Sequence, residues 1–330
     1  MNRREFITEL GVAAAAWPLA VRAQQDRRVR RVGVLTNGKP TDVGYRSNMT
    51  AFAEGLQKLG WVDGQNVRMD YRWTGDEADL ARFYAGEIVG IAPEVILCST
   101  TDNLIALQRA TSSIPIVFTS VSDPVAQGFV ASLARPGGNI TGFTAYEFSI
   151  GGKWLDLLKQ MAPPLNRVAV MVNPDVTAQS RFFLRSIEAA ASSLGVQATQ
   201  TSVREQSEVQ FAIESFARTP NGGLILPPDT FTRLRRDLIA SLAARYHLPA
   251  IAHSDDFARS GLLMSYGYNQ VATYRDSAIY IDRILKGAKT ADLPIQQPTR
   301  FTLVVNRKTA RAMGIELPLG VLLAADEVIE

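Results

Sequence analysis

The sequence predicts an α/β fold of two doubly wound, mostly parallel-sheet lobes facing each other across a cleft. Three observations predict it. Short β-rich apolar runs alternate with segments of helical periodicity, the signature of βαβ units. That alternation runs to about residue 144 and then begins again. The chain's 330 residues also exceed what a single core of at most ~250–300 residues holds. Composition excludes several other classes. With 46% hydrophobic and 20% charged residues, the chain is too apolar to be disordered. The single Cys98 rules out an internal disulfide, and one Cys with two His leaves too little for a zinc site of nitrogen and sulfur ligands. Lys and Arg number 35 against 32 Asp and Glu, a balance that gives nucleic-acid binding no support.

In the first series, Arg31–Thr36 is a strand, and Met49, Phe52, Leu56 and Leu59 fall at helical spacing before Gly60. Val67, Met69 and Tyr71 alternate with Arg68, Asp70 and Arg72, as in a strand with one wet face. Leu80–Val89 is helical, Val95–Cys98 a buried-type strand, Asn103–Thr111 a helix, Ile114–Thr119 a second buried-type strand and Ile140–Thr144 a third. Asp123-Pro124 has the form of an N-cap followed by Pro at the first helical position. The second series reads helix Trp154–Met161, strand Arg167–Val172, helix Phe182–Leu194, strand Gln197–Val203 and helix Val209–Ala217. Strand Gly223–Leu226, helix Leu234–Tyr246 and strands Pro249–Ala252 and Leu262–Tyr266 follow. A helix carrying Val271, Tyr274, Ala278, Ile281 and Leu285 on one face precedes a late strand, Phe301–Val305. The expected lobes are 29–145, with part of 268–300 returning to it, and 146–267, with part of 300–330.

Residues 1–23 read as an address. Arg3 and Arg4 precede Phe6, as in a twin-arginine export signal, and Gly11–Ala20 is an Ala-rich run too short for a membrane span of about 20 residues. Val21-Arg22-Ala23 offers small residues for cleavage after Ala23. Pro18 within the run argues against a buried helix. The expected destination is the periplasm.

Parallel sheets bind ligands outside the carboxyl ends of their strands. Here those loops are rich in hydroxyls and carboxylates: Thr36, Asn37 and Tyr45 after the first strand, Ser99, Thr100 and Thr101 after the third, and Thr119, Ser120 and Asp123 after the fourth. In the second series the matching positions hold Asn173 and Asp175, Asp229, His253–Asp256, and Tyr266 and Tyr268. Such a lining suits a small zwitterion. Hydroxyls and helix N-termini take a carboxylate, Asp229 or Asp123 takes an ammonium, and Tyr45 or Tyr266 stacks on an apolar side chain. Each residue also has a plainer reading. Ser, Thr and Asp after a strand are ordinary N-caps, and Asp123 before Pro124 fits a cap better than a contact. His253 fits a hydrogen-bonded core residue better than a catalyst. No G-x-G-x-x-G follows the first strand, and neither a P-loop nor G-x-S-x-G occurs. Cys98, ending a buried-type strand, reads as a small core residue.

Several stretches resemble one family. They are the signal Arg3-Arg4-Glu5-Phe6-Ile7, Ile114–Thr119 with Asp123-Pro124, the block 131–142 (A-S-L-A-R-P-G-G-N-I-T-G), Leu263-Met264-Ser265-Tyr266-Gly267, and Phe301–Asn306 ahead of Lys308-Thr309-Ala310. Together they resemble the substrate-binding proteins of ABC transporters, in the branch grouped with tryptophan- and tyrosine-binding receptors. The likeness spans about residues 30–330. It implies a type I periplasmic binding fold, hinge closure on a small-molecule ligand, delivery to a membrane permease, no catalysis and no cofactor or metal. By position it places Ser99, Thr100, Thr101, Thr119, Ser120 and Asp123 on ligand-facing loops of the first lobe, and Asn173 and Asp229 on the second. Tyr268, where many relatives are expected to carry Pro, and the loop His253–Asp256 depart from the pattern.

The expectation is therefore a monomeric periplasmic solute-binding protein that takes an amino acid or related carboxylate and has no nucleic-acid partner. The rival readings are an exported racemase- or lyase-type enzyme, using His253 with Asp229 or Cys98 as nucleophile, and a ligand-sensing partner of a membrane receptor.

Overall fold

The structure is a computed structural model that describes residues 29–175 and 179–330; the expected export signal lies outside the described residues. Two sheets form the framework. The first contains β1 (Arg30–Thr36), β2 (Val67–Trp73), β3 (Val95–Ser99), β4 (Ile116–Val121) and β5 (Ile140–Thr144), all parallel, in the order β2-β1-β3-β4-β5. The second contains β6 (Arg167–Val172), β7 (Gln197–Ser202), β8 (Gly222–Leu226), β9 (Ala250–Ala252), β10 (Met264–Tyr268), β11 (Phe301–Asn306) and β12 (Glu327–Ile329), in the order β12-β11-β10-β9-β8-β6-β7. Within it only β10 and β11 pair antiparallel.

Every residue of β3 and of β8 is buried, because helices cover both faces of each sheet. On the first sheet, α1 (Val43–Lys58) covers one face and α2 (Ala78–Gly90) with α3 (Thr101–Ala110) the other. On the second, α4 (Ile150–Met161) and α5 (Ser180–Leu194) lie opposite α6 (Gln206–Ala217) and α8 (Arg236–Arg245). Asp42 starts α1 by accepting hydrogen bonds from the amides of Gly44 and Tyr45.

The chain passes between the lobes three times, near 145–149, 268–270 and 296–301. After β10, helix α10 (Gln270–Leu285) packs on α1, placing Tyr274, Ala278 and Ile281 in the first lobe's core beside Phe52 and Leu56. Gln296 then extends β5: its amide donates to Gly142 O and its carbonyl accepts from Thr144 N.

Local departures from the sequence reading have identifiable causes. The expected helix Leu234–Tyr246 is two, α7 (Thr230–Leu234) and α8, parted at Arg235 where φ is −111° and ψ 16°. Asp123 caps a turn through its Oδ1, which accepts from Ala126 N, but no helix follows. The segment His253–Asp256 leads into a short helix, α9 (Asp255–Arg259), and β10 runs to Tyr268 instead of ending at Tyr266. Two further short helices, α11 (Arg307–Ala312) and α12 (Leu319–Ala324), precede β12.

Candidate ligand site between the lobes

The carboxyl ends of β1, β3, β4, β8, β9 and β10 converge on one cavity. From the first lobe come Asn37, Tyr45, Thr100 and Ser120. From the second come Asp229, Arg233, His253 and Tyr268. Helix α10 adds Gln270 and Tyr274.

Arg233 is the buried cation among the described residues of the site. Its Nε donates to Asp256 Oδ2 at 2.7 Å, its Nη1 donates to Gln270 Oε1 at 2.8 Å, and its guanidinium carbon lies 4.4 Å from the centre of the Tyr45 ring. Burial opposes its charge, but the Asp256 carboxylate and Tyr45 more than offset that and raise its pKa above the ordinary value. Asp256 is correspondingly lowered: burial pushes its carboxyl up and Arg233 pulls it further down. His253 is held neutral, its pKa lowered to about 4 by burial and by the Arg233 charge. Burial raises the phenols of Tyr45 and Tyr268, which stay protonated as donors.

The walls already join across the cleft. Asn37 Nδ2 donates to Thr230 Oγ1 at 2.8 Å, and Ser120 Oγ lies 2.9 Å from Tyr268 Oη. Thr100 (φ 70°) and Ser120 (φ 57°) occupy the left-handed region without being glycine, a strain that concentrates at functional sites. Thr100 also gives α3 no side-chain cap, so the amides of its first turn remain available to an anion at the cavity edge. Gln179 lines the cavity, and its buried Oε1 has no hydrogen-bond partner among the described residues.

Of the residues singled out in the sequence, Asn37, Tyr45, Thr100, Ser120 and Asp229 line this cavity, whereas Thr36, Ser99, Thr101, Thr119, Asp123, Asn173 and Tyr266 do not. Ser99 stands one layer behind the wall: its Oγ accepts from Asn37 N at 3.0 Å and lies 2.9 Å from Asn37 Oδ1. Thr36 and Thr119 are buried at their strand ends, and Thr101 is fully buried in the first turn of α3. Asn173 donates its amide to Asp229 Oδ2 at 2.6 Å, while Asp229 Oδ1 accepts from Thr232 N at 2.8 Å, so Asp229 caps α7 as well as facing the cavity. Tyr266 stacks on Phe301, ring centres 5.7 Å apart. Arg233, Gln179, Gln270 and Tyr274 escaped the sequence reading. Only Arg233 had a signal, lying four residues after Asp229 and so one helical turn above it.

Of the rival acid–base sets, His253 and Asp229 both line the cavity. His253 Nδ1 faces Leu226 O at 3.4 Å, and the Cys98 thiol is buried and raised in pKa by that burial. Among the described residues no group of His, Cys, Asp and Glu has metal-ligand geometry, and no helix is long and apolar enough to cross a membrane.

Residues 44–329 match the family described as ABC transporter substrate binding protein. A tyrosine-binding protein of Clostridioides difficile (strain R20291) is 26% identical over 266 residues, which are 80% of this chain and 76% of that protein. Among solved structures, a conserved domain protein from Vibrio cholerae superposes with a TM-score of 0.83 at 25% identity, covering 91% of this chain and 100% of its own. The L-Trp complex of an ABC domain from Streptococcus pneumonia superposes with a TM-score of 0.81 at 21% identity, covering 90% of this chain and 100% of its own. The ligand-free, open structure of a substrate-binding protein with adhesive properties from Clostridium difficile reaches 0.65 at 25% identity, covering 91% and 99%. Proteins of this family take a small-molecule ligand and work with the permease of an ABC transporter outside the cytoplasm. The chain belongs to the ABC transporter substrate-binding protein family.

Proposed function

We propose that this chain is a monomeric periplasmic receptor, freed from its signal after Ala23, that captures an amino acid with an aromatic side chain, closes around it and presents it to the permease without transforming it. The observation that carries this reading is the pairing of polar and aromatic groups in one cavity. Tyr45, Tyr146, Tyr268 and Tyr274 surround it with ring surface, while charged and polar atoms come from both lobes. A carboxylate fits at the uncapped start of α3 beside Ser120. An ammonium fits toward Asp229 and the unpaired Gln179 Oε1. The ring then lies among the tyrosines, where offset or edge-on aromatic contacts are each worth about 0.5–1.5 kcal/mol. The tyrosine and L-Trp named for two relatives support this ligand class.

A thermal-shift screen of the twenty amino acids, aromatic acids lacking an amine, and sugars tests the reading. A ligand at about 100 times its dissociation constant adds ~2.7 kcal/mol to stability. The proposal expects that shift from tyrosine or tryptophan and not from the deaminated acids. A shift confined to sugars, or none with any amino acid, contradicts it.

A further inference from the structure

Two ion pairs outside the cavity also join the lobes. Arg236 Nη1 lies 2.7 Å from Asp42 Oδ2, and Arg235 Nη1 lies 2.6 Å from Asp76 Oδ2. None of these four residues lines the ligand cavity. The acceptors belong to separate parts of the first lobe: Asp42 caps α1, and Asp76 sits in the turn before α2. The donors are neighbours at the break between α7 and α8. Each donor is aimed by its own lobe. The Arg235 guanidinium lies 3.5 Å from the centre of the Phe231 ring and its Nη1 donates to Phe231 O at 3.0 Å, while Arg236 Nη1 donates to Arg233 O at 3.1 Å. The four side chains are only 12 to 25% exposed.

We propose that Arg235 and Arg236 are a latch: their pairs with Asp76 and Asp42 set the balance between open and closed lobes, and so ligand retention, without touching the ligand. The effect on retention rests on the reading of the cavity given above; the effect on closure does not. Every latch contact joins one lobe to the other and so is lost when the lobes part. Arms already oriented within one lobe lose little freedom on pairing, so more of the attraction goes into closure. Apparent affinity scales with the fraction of protein able to close, so losing the latch weakens binding about tenfold, mainly through faster release.

The test is made first without ligand. Lys58→Cys and Gln210→Cys place one dye on each lobe at exposed positions, and buried Cys98 does not compete for label. At low salt the latch predicts a compact, high-transfer population. Transfer falls in Arg235→Gln/Arg236→Gln, which removes both charges at similar length. It falls equally in Asp42→Asn/Asp76→Asn, which breaks the same pairs from the other lobe while Asn keeps the α1 cap. If either variant fails to fold, the other decides, as does salt titration of the labelled parent. Between about 10 mM and 1 M salt the screening length drops from ~30 to ~3 Å, and transfer falls with it. Low transfer in the parent at low salt, or transfer that neither neutralisation nor salt changes, overturns the latch whether or not any amino acid binds.

Discussion

Arg233 of the second lobe lies over the ring of Tyr45 in the first, its guanidinium carbon 4.4 Å from the ring centre, while Asp256 Oδ2 accepts from its Nε at 2.7 Å. One side chain thus ties a buried ion pair of one lobe to the aromatic wall of the other. Arg233→Gln leaves Asp256 as a buried carboxylate without its counter-charge, and removing one partner of such a pair costs about 3 kcal/mol. The expected outcome in urea unfolding is that loss in stability, and in calorimetry a loss of ligand binding. A variant as stable as the parent would show that Asp256 recovers solvation the closed site does not offer.

His253 gives stability a dependence on pH. In an unfolded chain histidine takes its proton near pH 6.5, whereas His253 in the fold does so only near 4. Between those values the unfolded chain binds the extra proton, so stability rises with pH across this window and is lost on acidification through it. The gap is worth about 3 kcal/mol. His253→Gln should flatten unfolding free energy between pH 4 and 6.5 relative to the parent. An unchanged slope would assign the dependence to other groups.

Gly38 controls the Tyr45 ring. Its φ is +76°, and a Cβ there would stand 2.4 Å from the ring carbons. Its bridge partner Gly75 has φ +59° but open space around it. Alanine at either position carries the left-handed backbone cost of about 1–2 kcal/mol, but only Gly38→Ala must move the ring. A larger drop in melting temperature is expected for Gly38→Ala than for Gly75→Ala, with an affinity loss of about tenfold for Gly38→Ala alone, a shift of ~1.4 kcal/mol. Equal affinities would remove Tyr45 from the site.

Ser99 acts through Asn37. Ser99→Ala leaves the Asn37 amide without its buried acceptor, a cost of about 1–3 kcal/mol, and frees the Asn37 side chain that reaches Thr230 across the cleft. Stability and affinity should fall together, and Ser99→Thr, which keeps the hydroxyl, should restore part of both. No rescue by threonine would make the effect one of volume rather than hydrogen bonding.

The framework was legible because strands buried on both faces read as unbroken apolar runs, as in Val-Ile-Leu-Cys at 95–98 and Val-Ala-Val-Met-Val at 168–172. The site was legible only in part. The carboxyl ends of β1, β3 and β4 supplied Asn37, Thr100 and Ser120, because strand ends can be placed by hydrophobicity. That signal cannot separate a hydroxyl facing the cavity from one facing the wall: Ser99 and Thr119 pair in register and turn inward, one residue short of Thr100 and Ser120. The two-residue error at the end of β10, about 7 Å of strand, let Tyr266 stand as the stacking candidate when Tyr268, named at the same strand end, is the one that lines the cavity. Arg233 and Gln270 were hidden for another reason. Their roles come from side-chain contacts between lobes, which no local periodicity records.

Calorimetric titration of L-tyrosine and L-tryptophan into the parent protein and into Tyr268→Ala is the most direct measurement of the central claim. The account predicts one-to-one saturable binding of at least one of them by the parent and at least a tenfold loss in the variant, a change of ~1.4 kcal/mol or more. Absence of heat with both amino acids, or equal affinity in parent and variant, would contradict it.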